Sequence, residues 1–572
     1  MTRMTPSEAF VETLLAEGVK EVIGLVGSAY QDALDLFPEA GIRFVTVHNE
    51  QTASHMADGY ARASGRPGVC IAQNGPGCTN MLTGIAVAYQ AHSPVIAITP
   101  TAMSTLSGLD GLQETDQMQV FKGVTRYQTR VPAPGRMAES MRAAFRHATS
   151  KFGPSQVDIP RDFFYGDTDQ QILQPHEYRT VSRAAGDPAQ LAAAAELLAK
   201  AHAPAIVAGY GCVLANAHAA TAQLAEHLTA PVINTFWHND SFPSAHPLSV
   251  GPLGFGGAKS AMEVLMEADV VLMLGSRING FGYAPQYGLN YYPRHAKIIQ
   301  VDISAEEIGR TQRIDVGIVA DARLAAEGLL QRLGASSSAN DKTRRLARIM
   351  KAKKDWVALQ NQMCESTNDQ INPYAALRTI CGAIDEDTIV TTDIGFAAGA
   401  AHGFLGFQKP RKFIAPGNFA NCGFAFPTAL GAKLACPDSP VVAIVGDGAW
   451  GFGLQEVMTS IEEKLPVVAV VLNNGQLGAE KSNQLTYLGG REVGVNVAAR
   501  FNYAEIAKAM GAQAIRITRL EDIESVFLKA VASNETWVIE VMIDPAILNK
   551  PFRGEALSTA VRYLDRYKHL SA

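Results

Sequence analysis

The stretch that decides the fold, GDGAWGFGLQEVMTSIEEKLPVVAVVLNN, occupies residues 446–474 and follows a short apolar run at residues 441–445. That run and residues 467–472 are rich in β-branched side chains, which is typical of buried parallel strands. Residues 454–463 have helical character, and Pro466 ends that segment. The stretch therefore predicts a right-handed strand–helix–strand unit whose two strands end at the same edge of one sheet.

The ends of these two strands carry residues suited to a metal and a phosphate. Asp447 follows the first strand, and Asn474, 27 positions later, follows the second. Carboxylate and amide oxygens are ligands for hard divalent cations, and the free N–H groups of a helix start suit a phosphate. A lone Gly-Asp-Gly is usually an ordinary turn. Here the order of strand, helix and strand favours a metal and phosphate site at the carboxyl edge of the sheet.

The composition of the 572-residue chain is that of a globular protein, with 47% hydrophobic residues, 18% charged residues and a net charge of −6. Its length predicts about three domains, and its charge gives no reason to expect a nucleic acid or a membrane surface as partner. The N-terminus predicts an amphipathic helix, not a signal peptide, and no apolar run reaches the about 20 residues of a membrane span. Seven cysteines without paired spacing predict reduced thiols in a cytoplasmic protein.

Strands and helices alternate through three successive blocks, which predicts an α/β protein with three doubly wound parallel-sheet domains. The predicted domains are residues 1–170, 185–335 and 368–548, followed by a tail at 549–572. Besides the two strands above, strand candidates lie at 21–27, 42–47, 68–73, 94–100, 203–211, 230–235, 269–276, 296–303, 388–395 and 537–544. A polar stretch at residues 334–345 predicts a surface linker.

Two segments of the first block have the features of helix starts at strand ends. Glu50 follows the strand candidate 42–47 and opens a helix, where the helix dipole favours a carboxylate. Residues 73–80, QNGPGCTN, predict a tight strand-to-helix turn. Taken alone, each segment has an ordinary structural explanation.

Taken in order along the whole chain, the motifs resemble those of the thiamine-diphosphate (ThDP)-dependent enzymes of the acetolactate synthase type. These motifs are VHNEQ (47–51), QNGPGCTN (73–80), LQETDQ (112–117), GPSQVDIPRD (153–162), TTDIG (391–395), NCGFAFPTALGAK (421–433) and the stretch at 446–474. The resemblance implies a pyrimidine-binding, a central and a diphosphate-binding domain, with ThDP and Mg²⁺ as cofactors. It also implies a homodimer or homotetramer with its active sites at subunit interfaces.

The resemblance implies roles for individual residues. Glu50 would hydrogen-bond N1′ of the aminopyrimidine, which favours the tautomer whose N4′ removes the thiazolium C2 proton. Gln113 would face the substrate. The implied Mg²⁺ ligands are the side chains of Asp447 and Asn474 and the backbone carbonyl of Gln476. The other implied cofactor contacts come from Gly395, Gly446, Gly448 and Ala449, and from Cys422 beneath the bent cofactor.

Four segments narrow the resemblance to the sulfoacetaldehyde acetyltransferase subfamily, at residues 236–279, 473–484, 504–512 and 551–568. This subfamily implies a taurine-catabolic reaction in which sulfoacetaldehyde and phosphate give acetyl phosphate and sulfite through an enamine and 2-acetyl-ThDP. The sulfonate and the phosphate are tetrahedral oxyanions, for which Lys481 and Arg553 are candidate partners. An ordinary surface cation exposed to solvent is an equally good interpretation of each of these two residues. His48, His55 and His238 are interpreted as structural.

The chain departs from the subfamily pattern at Asn49, Phe396, Leu477 and Gly554. These departures leave the cofactor motifs intact and bear on the substrate. One alternative is therefore a 2-keto acid decarboxylase or carboligase of the acetolactate synthase or oxalyl-CoA decarboxylase type. Another is a binding protein with a degenerate site, which the intact Glu50, Asp447 and Asn474 argue against. The glycine turns GYGC and GSRING are too short a pattern to assign FAD or ADP to the central domain.

Overall fold

The N-terminal part of the computed structural model is built around a six-stranded parallel sheet and a two-stranded ribbon. Its strands are β1 (Thr2–Met4), β2 (Glu21–Gly24), β3 (Arg43–Thr46), β4 (Gly68–Ile71), β5 (Val95–Thr101), β6 (Tyr127–Arg130), β7 (Ser155–Pro160) and β8 (Thr168–Gln170). Its helices are α1 (Pro6–Ala16), α2 (Gln31–Asp35), α3 (Phe37–Ala40), α4 (Glu50–Ser64), α5 (Pro76–Gln90), α6 (Gln117–Phe121) and α7 (Met137–Lys151). The sheet order is β3-β2-β4-β5-β7-β6, and β1 pairs with β8 in the antiparallel ribbon.

The central part has a second six-stranded parallel sheet. Its strands are β9 (Pro204–Ala208), β10 (Val232–Asn234), β11 (Ser249–Pro252), β12 (Val270–Leu274), β13 (Lys297–Asp302) and β14 (Val316–Val319). Its helices are α8 (Pro188–Lys200), α9 (Tyr210–Leu214), α10 (His218–Leu228), α11 (Lys259–Met266), α12 (Ala322–Arg332) and α13 (Ala339–Met363). The sheet order is β11-β10-β9-β12-β13-β14.

The C-terminal part has a third six-stranded parallel sheet, in the order β16-β15-β17-β18-β20-β19. Those strands are β15 (Ile389–Thr392), β16 (Phe413–Ile414), β17 (Val441–Gly446), β18 (Val468–Asn473), β19 (Gln513–Ile517) and β20 (Trp537–Met542). Its helices are α14 (Pro373–Gly382), α15 (Phe396–His402), α16 (Ala425–Ala435), α17 (Asp447–Trp450), α18 (Val457–Glu462), α19 (Gly478–Tyr487), α20 (Tyr503–Ala509) and α21 (Ile523–Ser533), with α22 (Asp565–Lys568) in the tail.

These three sheets confirm the predicted α/β class with three doubly wound parallel sheets. The structure describes residues 1–277, 279–291, 293–334, 339–366, 368–497, 501–550, 558 and 560–571. Each predicted strand candidate contains an observed strand, although most observed strands are one to three residues shorter at their ends. The central strands are buried along most of their length, as expected when helices cover both faces of a parallel sheet.

The polar stretch at residues 334–345 was predicted to be a surface linker, and from Ala339 onward that prediction was wrong. Helix α13 begins there and runs for 25 residues. Its apolar residues recur at helical spacing, so that Ile349, Ala352 and Trp356 pack into the core of the central sheet, while most of its charged residues face outward. Even this longest helix is too polar to cross a membrane, and no helix within the described ranges is long and apolar enough to do so.

Helices α4 and α16 join the N-terminal and C-terminal sheets through direct backbone contact. A Cβ atom at Gly59 would lie 2.1 Å from the carbonyl oxygen of Thr428, and one at Gly431 would lie 1.9 Å from that of Met56. Only glycine permits so close an approach. The two helices share one core with both sheets, which fixes Glu50, the first residue of α4, relative to the C-terminal sheet of the same chain.

Candidate active site

A cavity of about 420 Å³, here called the C-terminal cavity, opens at the carboxyl ends of β15, β17, β18 and β20. This edge is where open parallel sheets bind ligands. Its lining contains eight of the residues singled out in the sequence, namely Gly395, Cys422, Gly446, Asp447, Gly448, Ala449, Asn474 and Gln476. The structure therefore brings together residues that lie as far as 81 positions apart in the chain, from 395 to 476.

Asp447 is the first residue of α17 and only 2% exposed. Burial raises the pKa of its carboxyl to about 6, although backbone N–H groups, among them that of Gly448, act in the opposite direction. Its Oδ2 atom is buried and has no hydrogen-bond partner among the described residues. A buried carboxylate oxygen without a partner is costly unless a ligand meets it. The position and chemistry of Asp447 thus fit a divalent cation.

The loop after β18 holds Asn474 and Gln476 beside this carboxylate. The Oδ1 atom of Asn474 accepts a hydrogen bond from the backbone N–H of Gln476 at 3.2 Å. The side chain of Gln476 donates to the carbonyl oxygen of Pro545 at 2.6 Å, which ties that side chain to the loop after β20. Within the described ranges no cluster of three or more His, Cys, Asp or Glu side chains could hold a metal ion. A cation here would therefore need a mixed set of carboxylate, amide and carbonyl oxygens, which Mg²⁺ accepts.

Glycines leave the backbone at this edge open to a ligand. Gly395, between β15 and α15, has φ of 100°, a conformation that side-chain-bearing residues rarely adopt. Gly446 and Gly448 flank Asp447, and a Cβ atom at Gly448 would lie 2.4 Å from Cδ2 of Leu477. Residues 446–449 line the cavity, and at Gly446 and Gly448 no side chain of the residue itself covers the peptide group. This lining fits a diphosphate held through a divalent cation.

Cys422 lies on the wall of the C-terminal cavity. Burial raises the pKa of its thiol to about 11, and the nearby carboxylates of Asp393 and Glu480 add to the effect. The thiol is therefore neutral at physiological pH and contributes shape, not charge.

Glu50 and Gln113 form a second group at the carboxyl edge of the N-terminal sheet. Glu50 is 8% exposed, and its Oε2 atom accepts a hydrogen bond from Nδ2 of Asn80 at 3.0 Å. Gln113 is exposed, has φ of 60°, and accepts at Oε1 from Nε2 of Gln73 at 3.0 Å. The described lining of the C-terminal cavity comes from residues between 236 and 543 and includes neither Glu50 nor Gln113.

Of the two candidate oxyanion partners, Lys481 does not belong to the described lining of the C-terminal cavity. The Nζ atom of Lys481 pairs with Glu492 at 3.1 Å and lies 3.4 Å from Oδ1 of Asn496. Arg553 falls outside the described residues. Among the lining residues there is no Lys, Arg or His within the described ranges. His55 and His238 are buried and, because burial lowers the pKa of both rings, they are neutral, in agreement with structural roles.

Glu480, on α19, also lines the C-terminal cavity and was not predicted from the sequence. The sequence did contain a signal for it, because Glu480 directly precedes Lys481 in the segment 473–484 that resembles the subfamily. Only Lys481 was singled out there, as a candidate partner for an oxyanion. Two of the departures from the subfamily pattern, Phe396 and Leu477, also line the cavity. Asn49 does not line it and instead caps α4, accepting a hydrogen bond from the N–H of Gln51 at 2.8 Å.

A larger cavity of about 660 Å³, here called the central cavity, lies at the carboxyl edge of the central sheet. The glycine turns noted in the sequence meet there, since a Cβ atom at Gly211 would lie 2.6 Å from Cα of Gly275. The two cavities share four wall residues, Phe236, Trp237, Gly417 and Asn418. Trp237 has φ of 67°, a strained value for an aromatic residue.

Comparison with known proteins finds family models along most of the chain. Residues 4–120 match the model described as "Thiamine pyrophosphate enzyme, N-terminal TPP binding domain". Residues 191–329 match "Thiamine pyrophosphate enzyme, central domain", and residues 393–541 match "Thiamine pyrophosphate enzyme, C-terminal TPP binding domain". The three models thus follow one another along the chain as the three sheets do.

Individual relatives are similar over nearly the full length. Sulfoacetaldehyde acetyltransferases of Castellaniella defragrans and Alcaligenes xylosoxydans xylosoxydans are each 44% identical, over 99% of this chain and 97% of each relative. A probable acetolactate synthase large subunit of Methanocaldococcus jannaschii is 35% identical, over 95% of this chain and 92% of the relative.

Proposed function

We propose one reaction for this chain, from the premise that it belongs to the thiamine pyrophosphate (ThDP) enzyme family. The proposed reaction is the ThDP- and Mg²⁺-dependent conversion of sulfoacetaldehyde and inorganic phosphate to acetyl phosphate and sulfite. The observation that carries it is the 44% identity, over 99% of the chain, to two enzymes named sulfoacetaldehyde acetyltransferase. The chain would thus be an acyltransferase of taurine catabolism.

The C-terminal cavity supplies the groups that would hold the cofactor. Asp447 and Asn474 would bind Mg²⁺ through their side chains and Gln476 through its carbonyl, as the unpartnered Oδ2 of Asp447 supports. The backbone at Gly395, Gly446, Gly448 and Ala449 would receive the diphosphate, with Cys422 beneath the cofactor rings. When bound, ThDP supplies a nucleophilic carbon and an electron sink, and the protein supplies position and electrostatics.

Glu50 and Gln113 would complete the site from a second copy of the chain, in a homodimer or a homotetramer. Glu50 would hold a proton against N1′ of the aminopyrimidine, and Gln113 would face the substrate. Exposed apolar side chains border both halves of the site, with Leu109 69% and Leu112 90% exposed beside Gln113 and Phe452 64% exposed beside the C-terminal cavity. Such patches are typical of surfaces that a partner covers. Two-fold symmetry would place Glu50 and Gln113 of each copy at the C-terminal cavity of the other copy.

The proposed enzyme would act in the cytoplasm, where inorganic phosphate is available. All seven cysteines are free thiols, in agreement with a reducing compartment. The partners of the sulfonate and of the phosphate would be backbone N–H groups of the cavity together with Lys481 or Arg553, the latter outside the described residues.

The proposal is tested by assaying two products at once. Purified protein with ThDP, Mg²⁺, sulfoacetaldehyde and phosphate should release sulfite and form acetyl phosphate in equal amounts, and only when phosphate is present. Glu50→Gln should abolish both products, whereas Glu39→Gln, which changes an exposed carboxylate on α3, should not. Carbon dioxide release from pyruvate without phosphate, in place of sulfite release, would favour a 2-keto acid decarboxylase or carboligase.

A further inference from the structure

The C-terminal cavity contains few groups that can carry a proton. Within its described lining the ionisable side chains are Cys422, Asp447 and Glu480. Asp447 is assigned to the cation, and the thiol of Cys422 is neutral because burial raises its pKa to about 11. Glu480 is therefore the lining group that remains for proton transfer during the reaction.

The position of Glu480 is fixed by its helix and by a buried neighbour. It is the third residue of α19, the helix that follows Asn474 and Gln476, and it is exposed at the mouth of the cavity. Its Oε2 atom accepts a hydrogen bond from Nδ2 of Asn483 at 3.2 Å. Asn483 is only 4% exposed, so this hydrogen bond ties the carboxylate to a buried side chain.

The proposed reaction requires one proton to leave carbon 1 of the substrate and one to reach carbon 2. The aldehyde C–H bond at carbon 1 breaks, and its electron pair moves into the bond between the two carbons. The C–S bond breaks with its electron pair on sulfur, which leaves as sulfite. Carbon 2 then takes up a proton and becomes a methyl group. A phosphate oxygen forms its bond to carbon 1 as the bond that would hold carbon 1 to the cofactor breaks, and the proton that phosphate loses leaves with the sulfite. Carbon 1 is oxidised as carbon 2 is reduced, so no external oxidant is needed.

We infer that Glu480 is the group that removes the proton from carbon 1 and delivers a proton to carbon 2. The inference rests on the proposed function, because this pair of proton transfers belongs to that reaction. A single carboxyl group serves both transfers, since removing the first proton loads it for the second. Glu480 lies near Cys422 and lines the same cavity as the proposed cation ligands. General acid–base groups of this kind contribute about 100-fold or more to rate.

The test compares Glu480→Gln and Glu480→Asp with the wild-type protein, and Glu505→Gln, which changes an exposed carboxylate on α20, is the matched control. Sulfite release is measured with ordinary sulfoacetaldehyde and with sulfoacetaldehyde carrying deuterium at carbon 1. Binding of ThDP with Mg²⁺ is measured by calorimetry, and exchange of the C2 proton of bound ThDP by NMR. The last two readouts do not depend on turnover.

Glu480→Gln should lower kcat for sulfite release by about 100-fold or more and increase the deuterium isotope effect, because proton removal becomes the slow step. Its affinity for ThDP and its rate of C2 proton exchange should stay within about threefold of wild type, and Glu480→Asp should recover part of the rate. Sulfite release within tenfold of wild type, or loss of ThDP binding together with activity, would overturn the assignment of Glu480. A wild-type protein that releases no sulfite would instead overturn the proposed function, and this inference with it.

Discussion

At the scale of one residue, the buried carboxyl group of Asp447 affects the pH dependence of the protein's stability. Its pKa is raised from 3.8 to about 6, so the folded protein holds this proton more tightly than the unfolded chain does. The stability that the protonated group confers is complete below pH 3.8 and is lost as the pH rises through about 6. At neutral pH the ionised carboxylate therefore destabilises the protein, and the proposed cation would relieve this cost by meeting its unpartnered oxygen.

We expect Asp447→Asn to separate folding from cofactor binding. The substitution removes the buried charge, so the melting temperature of the cofactor-free protein at pH 7.5 should stay the same or rise. Affinity for ThDP with Mg²⁺ should fall by about 100-fold or more, because a charged ligand of the cation is lost. Calorimetric titration measures the affinity, with Asp438→Asn as the exposed control. Unchanged Mg²⁺-dependent binding would show that Asp447 is not a metal ligand.

Some site residues could be predicted because their position follows from the ends of strands. Asp447 and Asn474 each follow a strong apolar run, and parallel strands end at one edge, so their meeting was predictable. Glu480 was not, because whether a helical side chain faces a cavity depends on how its helix packs. The ion pair of Lys481 with Glu492 likewise depends on a loop whose path the sequence does not indicate. The chemical roles of these residues stay predictions.

At the scale of elements, the sequence located the strands and misjudged some helices. The helical segment predicted at residues 454–463 is present as a 3-10 helix at Leu454–Glu456 followed by α18, but the short helix α17, which begins at Asp447, was missed. A Gly-Asp-Gly turn and a helix start have the same sequence signature, and tertiary packing decides between them. Helix α13 was missed because the polar residues at its start conceal the apolar spacing further along. The bounds of the three domains remain predictions.

The crossing of α4 and α16 gives a matched pair of glycine substitutions. Gly59→Ala should lower the melting temperature, because the added Cβ would lie 2.1 Å from a backbone oxygen and overpacking costs about 1–3 kcal/mol. Gly382→Ala, in α14, meets no heavy atom within 4 Å and should gain up to about 1 kcal/mol from helix propensity. Thermal unfolding of both variants checks the prediction. A Gly59→Ala protein as stable as wild type would contradict the close crossing.

His55 should make the contact between α4 and the C-terminal sheet sensitive to acid. Burial lowers its pKa from 6.5 to about 3, while its ring packs edge-on against Phe424 at 5.4 Å. The stability contributed by the neutral ring is complete above pH 6.5 and is lost as the pH falls toward 3, by about 1.4 kcal/mol per pH unit.

The melting temperature of wild type should therefore fall more steeply between pH 6.5 and 4.5 than that of His55→Gln. His176→Gln, which changes an exposed ring, should follow the wild-type curve. Parallel curves for wild type and His55→Gln would show that another group controls the acid sensitivity.

At the scale of the whole molecule, the residues of the proposed site come from two regions of the chain. Glu50 lies at the edge of the N-terminal sheet, and the described lining of the C-terminal cavity, which contains Asp447, does not include it. We therefore expect Glu50→Gln and Asp447→Asn chains, each inactive alone, to restore activity when co-expressed. A mixed dimer has one intact site, so random pairing should give about one quarter of the wild-type activity. Co-expressed Glu50→Gln and Glu50→Ala chains, as a control, should stay inactive.

The absence of any recovery would place both residues in a site within one chain. The proposed site could be anticipated only in part from the sequence. Motif order and the family resemblance predicted which residues belong together and that two chains share a site, whereas the contacts between those chains depend on how the domains pack.

The wall of Phe236, Trp237, Gly417 and Asn418 between the two cavities has a consequence for inhibitor studies. A compound in the central cavity would contact wall residues that also line the C-terminal cavity. Its inhibition pattern against substrate would then imitate direct competition, although the two molecules never touch. Steady-state competition experiments alone would therefore assign such a compound to the wrong cavity. Chemical screens against this protein need a structure of each complex to show which cavity the compound occupies.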